Sequence, residues 1–201
     1  MAEYYRVDIA GLERDLLRCP ISDKLDIAAF ILFGDVEVTV HSATKLLEKL
    51  PEFDYIVTPE AKSIPLAYEM ARQSGKKYFV ARKKAKLYMK DPVSVNVRSI
   101  TTDAEQTLIL DGVEGEQIRN KRVVILDDVI STGESLAAIE KLVEEIGGNV
   151  VAKACVLAEG DAVDRDDIIY LADKLLEHGI GGFYPTLVTD SFENIKRQIS
   201  I

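Results

Sequence analysis

From Tyr55 onward the chain alternates two hydrophobic patterns. Short apolar runs (DYIVTP, KKYFVAR, KRVVILDD, NVVAKACVLAEG) are separated by segments in which apolar residues recur every three or four positions. The short runs, bounded by turn-forming residues, suit strands buried on both faces, and the periodic segments suit amphipathic helices. After Gly133, for example, Leu136, Ile139, Leu142, Val143 and Ile146 share one helical face that Glu140, Lys141, Glu144 and Glu145 avoid. Gly147-Gly148 then supplies a stop. This alternation predicts an α/β fold, a central mostly parallel sheet flanked by helices that serve as crossovers.

The remaining segments are less regular. Leu12, Leu16 and Leu17 have helical spacing up to Pro20, FILFGDVEVTV is a mixed run, and SATKLLEKL reads as a helix with Ser42 as its N-cap. Between Lys83 and Gln117 a long polar stretch holds two short β-like runs, SVNVRSI and QTLILDG, which predict a hairpin projecting from the sheet. Towards the end, IIYLADKLLEHGIGG reads as strand or helix, FYPTLV as a strand, and DSFENIKRQIS as a helix capped by Asp190 or Ser191. The expected organisation is a lead-in segment over 1–50, a core over 51–160 and an extension over 161–201 packing on the core, all within one domain.

Composition narrows the function. With 201 residues and 47% hydrophobic content, one domain can bury roughly 70% of its unfolded surface. The excess of 34 acidic over 25 basic residues argues against nonspecific nucleic-acid binding, so any polyanion site must be a local basic island. Cys19 and Cys155 stand far apart in apolar surroundings and read as core residues of a reduced, cytoplasmic protein. The MAEYYRVDIAG start lacks a cationic leader pattern, and no run approaches the ~18 apolar residues of a membrane span. His41 and His178 are isolated from each other and from both cysteines, which disfavours a zinc site or a Cys-His nucleophile. QSGKKY lacks the earlier glycine of a Walker A loop, and no G-x-G-x-x-G is present.

The densest chemistry lies in VVILDDVISTGESL, Val123 to Leu136. A buried strand arrives at Asp127 and Asp128. Ser131, Thr132, Gly133, Glu134 and Ser135 then offer hydroxyls and successive N–H groups at a helix start, an arrangement suited to a phosphate dianion. Carboxylates do not bind phosphate directly; they suit sugar hydroxyls, at about 1.5–3 kcal/mol for each charged hydrogen bond. The string resembles the phosphoribosyl pyrophosphate signature of type I phosphoribosyltransferases. That resemblance implies that Asp127 and Asp128 hold the ribose hydroxyls and Ser131 to Ser135 the 5-phosphate.

Two other segments extend the resemblance. TPEAKSIPLAYEMA stands where this family grips pyrophosphate with a short loop carrying a strained non-proline peptide, expected here at Ala61-Lys62. ARKKAKLY places Arg82, Lys83 and Lys86 in the Arg-Lys-x-x-Lys pattern of adenine and xanthine phosphoribosyltransferases, which implies pyrophosphate cations at the base of a mobile loop. ILFGDVEVTV is similar to an adenine-enzyme segment, so that Ile31, Leu32 and Phe33 would help form the base pocket. Gly34 stands where that family has Arg, and RSITTDAEQTLIL is closer to the xanthine enzyme. The resemblance implies the type I fold with a small N-terminal hood, an Mg²⁺-dependent purine salvage reaction with adenine favoured, and a homodimer. Glu105 is the candidate acid or base on the purine. The alternatives are an oxopurine enzyme, a pyrimidine salvage enzyme, and a non-catalytic sensor of the sugar donor that regulates transcription.

Overall fold

The computed structural model describes residues 4–22, 25–98 and 105–172. At its centre is a four-stranded parallel sheet made of β4 (Tyr55–Pro59), β5 (Lys77–Ala81), β8 (Arg122–Ile130) and β9 (Asn149–Ala158), in the order β5-β4-β8-β9. Helix α2 (Ile64–Ser74) joins β4 to β5, and α4 (Glu134–Ile146) joins β8 to β9. The two connections run outward in opposite directions from the central pair. Right-handed crossovers therefore set the helices on opposite faces and make the gap between β4 and β8 the topological switch point.

Alternation along the strands fills both faces. Ile56, Val124, Leu126, Ala154 and Val156 pack with α2 and with α1 (Val36–Leu47), while Val57, Val123, Ile125 and Cys155 pack with α4. Gly147 caps α4 in the left-handed region (φ 89°), its N–H reaching Glu144 and Val143 carbonyls, as the double glycine predicts. The expected hairpin forms from β6 (Val93–Arg98) and β7 (Glu105–Leu110), antiparallel to each other. Rather than only projecting, it contributes Val95, Leu108 and Leu110 to the core beside α4. A short helix, α3 (Gly112–Ile118), follows it.

Two sequence expectations are corrected. The Leu12-Leu16-Leu17 segment is a strand, β2 (Leu12–Ser22), between β1 (Tyr4–Ile9) and β3 (Leu25–Ala29) in a separate antiparallel sheet. Leu16 is buried and Leu17 exposed, as neighbours on a pleated strand must be. Ala10 and Gly11 both have positive φ and close the two-residue turn between Ile9 and Leu12, a hairpin signal that outweighs the leucine spacing. Ser42, expected as an N-cap, lies inside α1. The helix begins earlier because Asp35 accepts a hydrogen bond from Val38 N–H at 3.0 Å and is itself gripped by Arg14 at 2.8 Å. The β-branched VEVTV run is helical because Val38, Ala43 and Leu46 all face the core.

The Ser42 hydroxyl is buried and makes no hydrogen bond among the described residues. Ser42→Ala is expected to raise stability by about 1 kcal/mol, read as a higher urea midpoint at unchanged slope.

The extension returns to the sheet. Ile169 N–H bonds the Lys153 carbonyl and Cys155 N–H bonds the Ile169 carbonyl, so residues 168–172 run beside β9. The tail expectations beyond Ala172, including the strand, the Asp190/Ser191 cap and His178, lie outside the described residues. No described helix is long and apolar enough to cross a membrane.

Candidate active site

The switch point opens because β4 and β8 part company. Their pairing covers Tyr55 to Val57 against Val123 to Ile125, whereas β8 keeps pairing with β9 as far as Ile130. Past that point Thr58 Oγ1 takes the Leu126 carbonyl at 2.9 Å and lies 2.7 Å from Ser63 Oγ. Asp127 and Asp128 therefore sit within the upper part of β8, at the lip of the crevice and not past the strand end.

Both carboxylates are buried, at 9% and 5% relative exposure. Asp127 accepts from the Asp128 N–H at 2.9 Å, and the Ser63 hydroxyl, which donates to the Pro59 carbonyl at 3.3 Å, is near enough to favour its charge slightly. Burial, and then the Asp128 charge, push the Asp127 carboxyl well above the usual range; burial raises Asp128 too, against the pull of the Lys62 ammonium. The opposite end of the same strand pair behaves differently. There Asp54 pairs with Arg122 at 3.0 Å and is held down at about 2. Paired charge stabilises the bottom of the sheet, while like charge is concentrated at the top.

A raised carboxyl means that the folded state binds its proton more tightly than the unfolded chain. The pair's own contribution to stability is therefore fullest below the ordinary carboxylate range and is lost as pH rises through and above it, opposite in sign to that of the lowered Asp54. Asp127→Asn, which keeps the acceptor oxygen, is expected to raise the melting temperature at pH 7.5 and flatten its decline from pH 5 to 8. Each kcal/mol regained would appear as about 2–4 °C in a thermal melt.

Beyond Ile130 the chain turns into α4 through Ser131, Thr132 and Gly133. Gly133 occupies the N-cap position in the left-handed region (φ 77°) and has no side chain to cap the helix; the Glu134 N–H is met by Thr132 Oγ1 at 3.5 Å. Ser131, Glu134 and Ser135 are half-buried here and Thr132 is exposed.

The facing wall is the turn from β4 into α2. A cis peptide lies there, between Glu60 and Ala61 and not at Ala61-Lys62 as expected. The Ala61 carbonyl is already committed to the Ile64 N–H at 3.2 Å, in the turn that starts α2. Lys62 is half-buried and acts electrostatically on Asp128. Arg82 is fixed to the hairpin by paired backbone bonds with Ile109, both 2.8 Å. Glu60 then gathers the basic island: its carboxylate takes Arg82 Nη1 at 3.4 Å and the Lys83 N–H at 3.2 Å. Lys83 and Lys86 are exposed.

The other expected residues divide. Leu32 is 1% exposed and belongs to the core, whereas Ile31 at 48% and Phe33 at 55% present apolar surface. Glu105 begins β7, opposite Arg98, and its side chain lies outside the described residues, as does the hairpin tip. Sequence reasoning passed over Thr58, Glu60 and Ser63. The signal was present in TPEAKS, where polar residues cluster at the end of an apolar strand. Among the described residues no group of three or more His, Cys, Asp or Glu side chains could hold a metal.

An α/β sheet whose switch point joins buried carboxylates, a helix start with N–H groups and a basic wall has the donors and acceptors that a phosphorylated sugar requires. The chain belongs to the phosphoribosyltransferase family: residues 40–181 match the phosphoribosyl transferase domain. It is an enzyme of the pentosyltransferase class. It is 34% identical over 147 residues to the hypoxanthine/guanine phosphoribosyltransferase of Methanococcus voltae, covering 73% of this chain and 72% of that one. To the adenine phosphoribosyltransferase of Thermosipho africanus it is 34% identical over 131 residues, 63% of this chain and 72% of that one. Among solved structures, the adenine phosphoribosyltransferase of Thermoanaerobacter pseudethanolicus superposes with a TM-score of 0.64 at 26% identity, over 78% of this chain and 94% of that one.

Proposed function

We propose that this protein transfers the phosphoribosyl group of phosphoribosyl pyrophosphate to a purine, with adenine as the base. The observation that carries the transfer is the buried Asp127-Asp128 pair standing at the switch point directly before the Ser131 to Ser135 helix start. Adenine is supported by the relatives and the solved structure named for that base; the Methanococcus relative makes an oxopurine the second reading.

In this reading Asp127 and Asp128 accept from the ribose hydroxyls, and the N–H groups and hydroxyls of Ser131, Thr132, Gly133, Glu134 and Ser135 receive the 5-phosphate. Lys62, the Ala61 turn, Arg82, Lys83 and Lys86 receive the pyrophosphate. Displacement at ribose C1 passes through an oxocarbenium-like transition state. The protein's contribution is therefore to align the base, exclude water and neutralise the leaving group. Ile31 and Phe33 supply exposed apolar surface for the purine, with the β1–β3 sheet as hood, and Glu105 is the candidate proton carrier. Mg²⁺ fits the hard carboxylate oxygens of Asp127 and Asp128, whose buried charges a cation would relieve. It would be carried in largely by the substrate and would neutralise charge on the departing pyrophosphate. The reading includes a cytoplasmic homodimer.

Incubation with Mg²⁺, phosphoribosyl pyrophosphate and adenine, xanthine, hypoxanthine, guanine, uracil or orotate, each separately, tests it by the monophosphate formed. AMP from adenine is the expected product. Product from oxopurines alone would overturn the base, and product from uracil or orotate alone would move the enzyme to pyrimidine salvage. Tight sequence-specific DNA binding without pyrophosphate release on any base would establish the sensor instead.

A further inference from the structure

The segment that should receive the 5-phosphate contains no cation. From Asp127 to Ser135 its charged side chains are Asp127, Asp128 and Glu134, all acidic. Backbone N–H groups can bind a dianion alone, but three neighbouring carboxylates oppose it, and a fixed positive charge would offset them.

Such a charge stands against the loop from outside the signature. Beyond β9 the chain makes a short 3-10 turn, Gly160–Asp164, and delivers Arg165 back to the start of α4. Arg165 Nη1 lies 2.6 Å from the point where a Cβ on Gly133 would stand, and its Cζ lies 3.7 Å from it. The loop glycine is thus covered by a guanidinium.

Its orientation is set by a ladder of ion pairs. Arg165 donates from Nε and Nη2 to the two carboxylate oxygens of Asp167, both at 2.8 Å. Asp167 is held by Lys153 Nζ at 2.6 Å, and Lys153 reaches Glu140 at 3.1 Å. The ladder ties Arg165 to β9 and to α4, the helix whose N-terminus forms the loop. With one edge of the planar fork engaged by Asp167, Nη1 is the nitrogen directed at the loop.

We propose that Arg165 binds the 5-phosphate of the sugar donor through Nη1, as the cation of a subsite otherwise made of neutral donors. This rests on the phosphoribosyl transfer reading. Asp167 and Lys153 are positioning residues that hold the guanidinium in place.

The test is titration of ribose 5-phosphate, and separately of Mg²⁺-pyrophosphate, into the wild-type protein and the Arg165→Gln and Arg165→Lys variants, with thermal melts and steady-state kinetics alongside. Arg165→Gln should weaken ribose 5-phosphate by about tenfold to a hundredfold. It should raise KM for phosphoribosyl pyrophosphate more than it lowers kcat and leave pyrophosphate affinity unchanged. Arg165→Lys should recover part of the loss. Ribose 5-phosphate affinity within twofold of wild type in Arg165→Gln, or equal weakening of both ligands, would overturn the proposal while the enzyme reading stands. A wild-type protein that binds neither ribose 5-phosphate nor the donor would sink both.

Discussion

Asp128→Asn is expected to lower kcat/KM for nucleotide formation by about 10- to 150-fold, the equivalent of one charged hydrogen bond of about 1.5–3 kcal/mol. The residue is buried, and desolvation raises its carboxyl against the Asp127 hydrogen bond and the Lys62 charge, so a hydroxyl that donates to it there meets an acceptor with little competition from water. The same substitution removes a buried charge that the fold does not pair with an arginine. Its melting temperature should therefore stay level or rise at neutral pH, since the folded state no longer has to hold an ionised carboxylate. Activity and stability moving in opposite directions is the signature of a functional charge. Unchanged steady-state kinetics would remove Asp128 from the ribose site, and a fall in both activity and melting temperature would make it a structural residue.

A position two residues earlier on the same strand should behave in the reverse way. Leu126→Ala is expected to cost about 2–5 kcal/mol of stability, a large share of the 5–15 kcal/mol that holds a domain together. Leu126 is fully buried among the side chains packed on the α1/α2 face of the sheet, where removing three carbons leaves a cavity that the rigid central strand cannot close. Its carbonyl is also the acceptor that Thr58 takes as β4 and β8 diverge. A urea titration should show a lower midpoint at similar slope. A loss under 1 kcal/mol would mean that the strand relaxes, and that Asp127 and Asp128 rest on a softer support than the geometry indicates.

These two residues, two positions apart on β8, mark the division between what was readable in the chain and what was not. Between Tyr55 and Ala158 the sheet strands were legible as short continuous apolar runs and the crossover helices α2 and α4 by their helical period, and the α4 stop was legible because Gly147 is needed in the left-handed region; α3, following directly on the QTLILDG run, was not. Within the first fifty residues the helix over SATKLLEKL was legible, but its start and the leucine segment before it misled. Three leucines in helical spacing lie on a strand because the Ala10-Gly11 turn forces a hairpin, and VEVTV is helical because Asp35 caps it and the core accepts its face. Local propensity loses wherever a neighbouring element supplies a partner.

The candidate site was legible where its parts are contiguous. Asp127, Asp128 and the Ser131 to Ser135 helix start occupy a single stretch and keep their relation in the fold. Contributions from separate elements were legible only as fragments. Glu60, which gathers Arg82 and Lys83, and Ser63, which lies near Asp127, gain meaning only when the β4 turn is set beside β8 and the end of β5.

The amino-acid sequence by itself determined an α/β chain with a sugar-phosphate signature at the end of one strand and a basic island after another, because periodicity and contiguous motifs are local properties. Tertiary structure alone decided that β4 and β8 are adjacent and diverge above Ile125, that burial raises both aspartates, and that Arg165 returns to cover Gly133. Those facts depend on which elements pack together, and burial, charge proximity and close approach are set by residues far apart along the chain.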